Sequence, residues 1–166
     1  MIKGKKILLR ALEPEDVDVL YDWENDDESW HLSNTLTPFS RFVLEQYVMN
    51  SHEDIHKTRQ LRMMIESVSE GKPVGAVDLF EFEPVHQRVG LGLMIAKPER
   101  QKGYASEAID LIIGYCFNTL MTRQVFCNIT PDNKTSLHLF EKKGFKITGR
   151  KKDWLRWNNQ WHDELM

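Results

Sequence analysis

The sequence predicts one α/β domain of the mixed α+β kind, built on a single sheet, and three observations carry that reading. Its 166 residues suit one domain and leave little room for a second. No repeat, low-complexity tract or Pro/Gly-rich linker divides them. Through the centre of the chain, runs of strand length alternate with helical patterns, the order that builds a helix-covered sheet. With 41% hydrophobic and 28% charged residues, the chain carries enough apolar material for its own core.

Ile7 to Leu12 is a short apolar run closed by Glu13-Pro14, and it reads as a first strand. Pro14 suits the first turn of a helix, on which Val17, Leu20 and Tyr21 fall at i, i+3 and i+4. A second helix is expected over 40–49, with Val43, Leu44, Tyr47 and Val48 as its apolar stripe. Leu61, Met63 and Ile65 alternate with Arg62, Met64 and Glu66, the period of a strand. Residues 69–73 form a turn, so 74–82 should return as the second arm of a hairpin. Another run of strand length covers 89–96. The helix expected over 104–120 carries Ala105, Ala108, Ile109, Ile112 and Cys116 on one face. A strand over 124–129 precedes a short helix over 133–142, stopped by Gly144, a residue suited to a left-handed cap. Strands near 146–154 and 161–166 meet through Asn158-Asn159. The predicted order is β-α-α-β-β-β-α-β-α-β-β in a single domain over residues 1–166.

Lys plus Arg number 22 against 25 Asp plus Glu, a net charge of −3, without the basic excess that a nucleic-acid partner calls for. Cys116 and Cys127 lie in apolar surroundings and read as small core residues rather than a disulfide framework. The first residues lack the apolar core of a secretory signal, and no apolar stretch approaches the ~20 residues that span a bilayer. A cytoplasmic domain with no membrane partner is expected.

Four motifs bear on chemistry. His52-Glu53-Asp54-Ile55-His56 spells the H-E-x-x-H zinc-protease string, but its polar flanks suit a solvated connector, and no metal site is expected. Gly90-Leu91-Gly92 begins like a dinucleotide fingerprint, lacks the third glycine, and sits inside its apolar run rather than after it. Glycine inside a strand marks a bulge or close backbone approach. In Arg100-Gln101-Lys102-Gly103-Tyr104-Ala105 a strand ends, a polar turn follows, and small residues open an amphipathic helix. Unpaired N–H groups and the helix dipole converge there, as in an anion site; an ordinary strand–helix turn explains these six residues equally well. Asn133-Lys134-Thr135-Ser136, leading through Phe140 to Gly144-Phe145, occupies the next strand–helix junction about thirty residues on.

Together, the last two motifs resemble the paired signatures of the GNAT acetyltransferases. The resemblance covers nearly the whole chain and is strongest to spermidine acetyltransferases and ribosomal-protein N-terminal acetyltransferases. Gly75-Ala76-Val77-Asp78-Leu79 and the run from Ala96 to Ala105 carry the closer match. It implies an acyl-CoA N-acyltransferase fold and acetyl-CoA as cosubstrate, with the pantetheine arm pairing like an extra strand against the backbone of Leu93, Met94 and Ile95. Arg100, Gln101, Lys102, Gly103, Tyr104, Ala105 and Ser106 would surround the pyrophosphate. Asn133 and Ser136 would hold the arm, and Lys142 would approach the adenosine phosphates. In this family a tyrosine that protonates the departing thiolate commonly precedes Glu141; here the position is Phe140, which has no proton to give. A thiolate with a conjugate pKa near ~8.5 is a tolerable leaving group, so the loss need not be fatal. Tyr104 and Tyr115 are the nearest remaining phenols in sequence.

An amine with pKa near ~10 must shed a proton before attack, and Asp78, Glu81 and His86 are the candidates to take it, Glu81 first. Nine acids and no Lys or Arg occupy residues 13–28, a run that attracts polycations or forms a solvated helix face. The spermidine enzymes are acidic just beyond it, where this chain reads Leu32-Ser33-Asn34-Thr35-Leu36-Thr37-Pro38, so the acceptor stays broad: a polyamine, another small amine or a peptide N-terminus. The basic cluster from Lys142 to Lys152 serves the nucleotide end or is plain surface. Trp154, Trp157 and Trp161 read as sheet packing, or as an interface in a homo-oligomer. The expected activity is direct acetyl transfer to a primary amine. The alternative, prompted by Phe140, is a non-catalytic acyl-CoA-binding sensor.

Overall fold

A computed structural model of the protein describes residues 1–30 and 35–166. Strands β1 (Ile2–Lys3), β2 (Ile7–Arg10), β3 (Leu61–Ser67), β4 (Pro73–Glu83), β5 (Arg88–Ile95) and β6 (Gln124–Phe126) lie side by side in that order. Neighbours are antiparallel except β5 and β6, which run parallel. The helices are α1 (Val17–Glu24), α2 (Arg41–Asn50), α3 (Ile55–Thr58), α4 (Tyr104–Asn118) and α5 (Lys134–Lys142). Strands β7 (Arg150–Trp157) and β8 (Gln160–Leu165) form a hairpin tied to the rest through the Ile129–Leu165 bridge. Among the described residues, no helix is long and apolar enough to cross a membrane.

Strand alternation sorts the core into two layers. Ile7, Leu9, Ile65, Val77, Leu79 and Leu91 face α4 and α5, packing on Ala108, Ile109, Ile112, Cys116 and Phe140. Met64 and Ala76, paired across β3 and β4, point the other way and meet Leu20, Leu44 and Val48 of α1 and α2. Side chains as fully buried as Ile109 and Ile112 contribute about 1.5–3 kcal/mol each by leaving water. The β4–β5 register slips between Phe80 and Glu83, and Glu81 stands at φ 49° in the slip. That extra residue reverses the alternation, so Phe82 follows Val77 and Leu79 into the same layer.

The acidic run is tied to basic side chains of the sheet and its flanks. Asp16, 2% exposed, takes two N–H bonds from Arg10 at 2.7 and 2.9 Å and the backbone N–H of Glu13 at 2.8 Å. Those bonds, joined by Glu66, hold the Arg10 guanidinium still further above its ordinary pKa. Arg62 of β3 binds both oxygens of Asp78 and reaches Glu24 of α1. Asp18 meets Arg41, while Asp26 and Glu28 share Lys97. Much of this charge is therefore spent on fastening α1 and the segment after it to the sheet and α2.

The single-sheet expectation is corrected by the separate β7–β8 hairpin, and the element order gains β1 and α3. A two-residue strand shows no period, and α3 is a single turn. The seventh strand begins at Arg150 rather than near Lys146, because Thr148 and Gly149 donate to the Met166 carbonyl instead of joining a ladder. Trp154 and Trp161 are 59% and 60% exposed, lying beside Lys151 and Arg156, so packing inside a sheet does not account for them. Trp157 stacks on His162. Replacing the buried Asp16 by Asn leaves the half-buried Arg10 with Glu66 as its carboxylate partner, and chemical unfolding should read a loss of about 3 kcal/mol. A loss below about 0.5 kcal/mol would show that the network carries no stability.

Candidate active site

The cleft begins where β5 loses its second neighbour. Parallel pairing with β6 covers only Arg88 to Gly90 against Gln124 to Phe126. Beyond Phe126 the chain turns toward β8, where Ile129 and Leu165 exchange N–H···O bonds of 2.9 and 2.8 Å. Among the described residues, Leu91 to Ile95 thus have a strand partner on the β4 side alone, which leaves the other edge of Leu93, Met94 and Ile95 able to take a further strand-like partner, with the Ile95 carbonyl already accepting Arg100 Nε. At the parting point Phe80 lies over Gly90, whose bare Cα is required: a Cβ there would come within 2.2 Å of the ring. Phe126 meets Phe80 edge-on at 5.7 Å.

From Ile95 the chain passes through a 3-10 turn (Lys97–Glu99) and then Arg100 to Gly103, which opens α4. Gln101 has φ 65° and Gly103, the N-cap, has φ 85° with no side chain to cap the helix. The first N–H groups of α4 thus stay free for an anion at its positive end. Tyr104 is buried with its hydroxyl toward Ser67, 3.4 Å away, so only its backbone is at the turn; Ala105 and Ser106 complete the first turn half-buried. Arg100 folds back, donating from Nε to the Ile95 carbonyl at 3.1 Å. The Lys102 ammonium is bound to the buried Glu99 at 2.6 Å. Glu99 also holds Lys72 at 3.0 Å, and the two ammonium groups, Lys102 foremost, keep its carboxyl below the ordinary range. The turn's basic side chains are in part structural, which their spacing in the sequence could not reveal.

On the far wall, Asn133 caps α5 by accepting the backbone N–H of Ser136 at 3.2 Å, so each fixes the other. Phe140 is buried and meets Phe145 edge-on at 5.0 Å, a wall of the core. Lys142 is exposed at the end of α5. Among the candidate bases, Asp78 is clamped by Arg62 at 2.6 and 3.0 Å, and His86 is exposed in the β4–β5 turn. Glu81 is exposed at the bulge, beside Phe80, and lines a cavity of about 520 Å³ with Thr58, Arg59, Gln60, Glu83 and Arg88. Leu32 to Asn34 of the stretch expected near the acceptor lie outside the described residues.

Burial pushes the Cys116 thiol up to about 12 and Cys127 up to about 11, which keeps both as poor nucleophiles. Burial likewise raises Tyr115. His52 contacts the Met49 carbonyl from the turn before α3 and His56 contacts Asp54, so the two rings do not share one helix face. Glu99 and Glu107 escaped the sequence reading. Glu107 receives N–H groups about a hundred positions away, a distance at which no local pattern exists.

Residues 6–146 match the acetyltransferase (GNAT) domain family. The chain is 26% identical over 152 residues to spermidine N(1)-acetyltransferase of Escherichia coli K12, covering 90% of this chain and 77% of that protein. It is 33% identical over 156 residues to an N-acetyltransferase 9-like protein of Caenorhabditis briggsae, covering 87% and 77%. The fold superimposes with a TM-score of 0.88 on the crystal structure of spermidine N-acetyltransferase from Vibrio cholerae in complex with CoA and spermine, at 23% identity over 98% and 94% of the two chains. The family match takes in both walls of the cleft, from the strand that precedes α1 to the end of α5, and this chain belongs to the GNAT acetyltransferases, which carry acetyl groups from acetyl-CoA to amines.

Proposed function

We propose that this protein acetylates a primary amine of a small polycationic molecule, with polyamines as the first candidates, by direct attack in a ternary complex. The observation that carries the cofactor half is the unpaired edge of Leu93 to Ile95 leading straight into the glycine-opened start of α4. An extended amide arm fits the edge and a pyrophosphate fits the turn; the absence of a Cβ at Gly103 leaves the approach clear. Asn133 and Ser136 stand as the opposite wall, Phe140 closes the core behind it, and Lys142 serves the nucleotide end. In this reading Arg100, Lys102 and Tyr104 contribute backbone groups and turn shape, since their side chains bond Ile95, Glu99 and Ser67.

Bound acetyl-CoA supplies the activated acyl group. The protein's task is to orient the amine, relieve it of a proton and let the thiolate go. Glu81 is the proposed base, directly or through water, because it lies one residue from Phe80 at the point where β5 and β6 part, outside the Asp78–Arg62 pair. With the cysteine thiols buried, direct transfer is favoured over an acyl-enzyme. The spermidine-acetylating relatives support a polyamine acceptor, whereas the ion-paired acidic run gives less of a free cation-attracting field than its composition suggests. The exposed Trp154 and Trp161 support a homo-oligomer, which light scattering would read directly. A thiol-release assay with acetyl-CoA and separate polyamines, amino acids and peptides tests the acceptor. Release with spermidine supports the proposal, release with peptides alone redirects it, and silence across the panel with tight cofactor binding favours a sensor.

Gly103→Val forces a branched residue into φ 85° and toward Lys6 Nζ; calorimetry should show coenzyme A affinity falling at least about tenfold in a folded variant. Unchanged affinity would place the phosphates elsewhere. Phe140→Tyr tests the missing acid. Affinity for coenzyme A should stay within about twofold and turnover should rise less than about tenfold, because a thiolate leaves without much help. A rise of about 10²-fold or more would show that proton delivery limits the native enzyme.

A further inference from the structure

The turn from Arg100 to Gly103 takes one of its braces from the first residues of the chain. Two of its four residues, Gln101 and Gly103, sit at positive φ, a shape that a short polar turn does not hold unaided. Lys6, between β1 and β2, donates from Nζ to the Lys102 carbonyl at 3.0 Å. The same nitrogen would stand 3.2 Å from a Cβ at Gly103. Lys6 is stationed there because Glu107, in the first turn of α4, accepts its backbone N–H at 3.1 and 3.2 Å and that of Lys5 as well. A cavity of about 350 Å³ opens beside this contact, lined by Lys5, Lys6, Val68, Ser69, Lys102 and Tyr104.

The two lysines that meet at the turn have different electrostatic fates. Lys102 is neutralised by Glu99, while the Lys6 ammonium bonds a carbonyl and has no carboxylate in salt-bridge range among the described residues. The Lys102 carbonyl and the Gly103 N–H belong to one planar trans peptide, so they point in opposite directions. An ammonium on the carbonyl therefore aims the N–H away from Lys6. It also polarises the peptide, which makes that N–H a stronger donor to an anion.

Resting on the reading that the pyrophosphate lies on this turn, we propose that Lys6 is a positioning residue for the cofactor's phosphates, acting through the Lys102–Gly103 peptide and held in place by Glu107. Lys6→Met keeps the length of the side chain and removes the charged donor. Calorimetry should show coenzyme A binding about tenfold more weakly, and Lys6→Arg should restore it. Acetylpantetheine, which lacks the pyrophosphate, should be used by Lys6→Met within about twofold of the unaltered protein, since the arm is held by β5. Equal losses with acetylpantetheine and acetyl-CoA would reduce Lys6 to a stabiliser of the fold and overturn the inference. It is also overturned if Lys6→Met binds coenzyme A normally while Gly103→Val does not, a result that leaves the phosphate turn standing. Normal binding by both variants removes the phosphate reading itself.

Discussion

The parting of β5 from β6 is the constraint around which the rest is arranged. A sheet normally satisfies its backbone groups through neighbouring strands, and an interior strand with one bare edge is costly unless something else will pair with it. Here β6 keeps step for three residues and then leaves for β8, so the second half of β5 has a strand on one edge alone, among the described residues, where it leads toward α4. Packing the α4 face of β2, β3, β4 and β5 with large apolar side chains lets this gap persist without the sheet collapsing into it. Phe80, lodged over Gly90 and against Phe126, fills the angle at which the strands separate.

Electrostatics complete what packing begins, and several charges that brace the sheet and the turn have a local mate. Arg10 and Arg62 are held by carboxylates from α1, its preceding turn and the strands. Glu99 gathers Lys72 and Lys102 beneath the turn. Pairs with one buried partner are strong where they are complete and costly where one partner is missing. The consequence is selective: at the turn Lys102 is neutralised by Glu99 while Lys6 and Arg100 bond backbone carbonyls, so these side chains shape the backbone that the cleft presents. That suits recognition of one extended cofactor better than broad attraction of anions.

The sequence made the secondary structure of the centre readable because its signals are periodic. The stripe of Ala108, Ile109, Ile112 and Cys116 turned out buried, and the alternation of Met64 and Ile65 matched the two layers. Gly103 and Gly144 were legible as turn and cap chemistry, which acts over a few residues, while Asn133 and Ser136 were singled out by the family resemblance. What escaped was long-range or too short to be periodic: β1, α3, the detachment of β7 and β8, and the commitment of Lys102 to Glu99. Glu107 gave no local signal, because its meaning depends on a turn at the other end of the chain. The acidic run shows the same limit, since composition reports charge but not which partner absorbs it.

The slip at Glu81 gives the β4–β5 hairpin a property independent of residue identity. Between Gly75 and the slip the α4 layer is entered on odd numbers, by Val77 and Leu79, and after it Phe82 enters on an even one. Counting, rather than chemistry, therefore keeps Phe82 inside. A strand that ran on here with the same residues and no slip would turn Phe82 outward and draw Glu83 into the apolar layer, whereas exchanging Glu81 for another residue leaves the phase intact. In a lineage that drifts by substitution the hairpin can change what it offers the adjoining cavity quite freely. A lineage that drifts by deletion has its freedom at the slip alone, where losing the extra residue restores a plain alternation that still turns Phe82 inward; lost elsewhere along the strand, one residue turns the side chains beyond it to the other face, as a lost base shifts a reading frame in a gene.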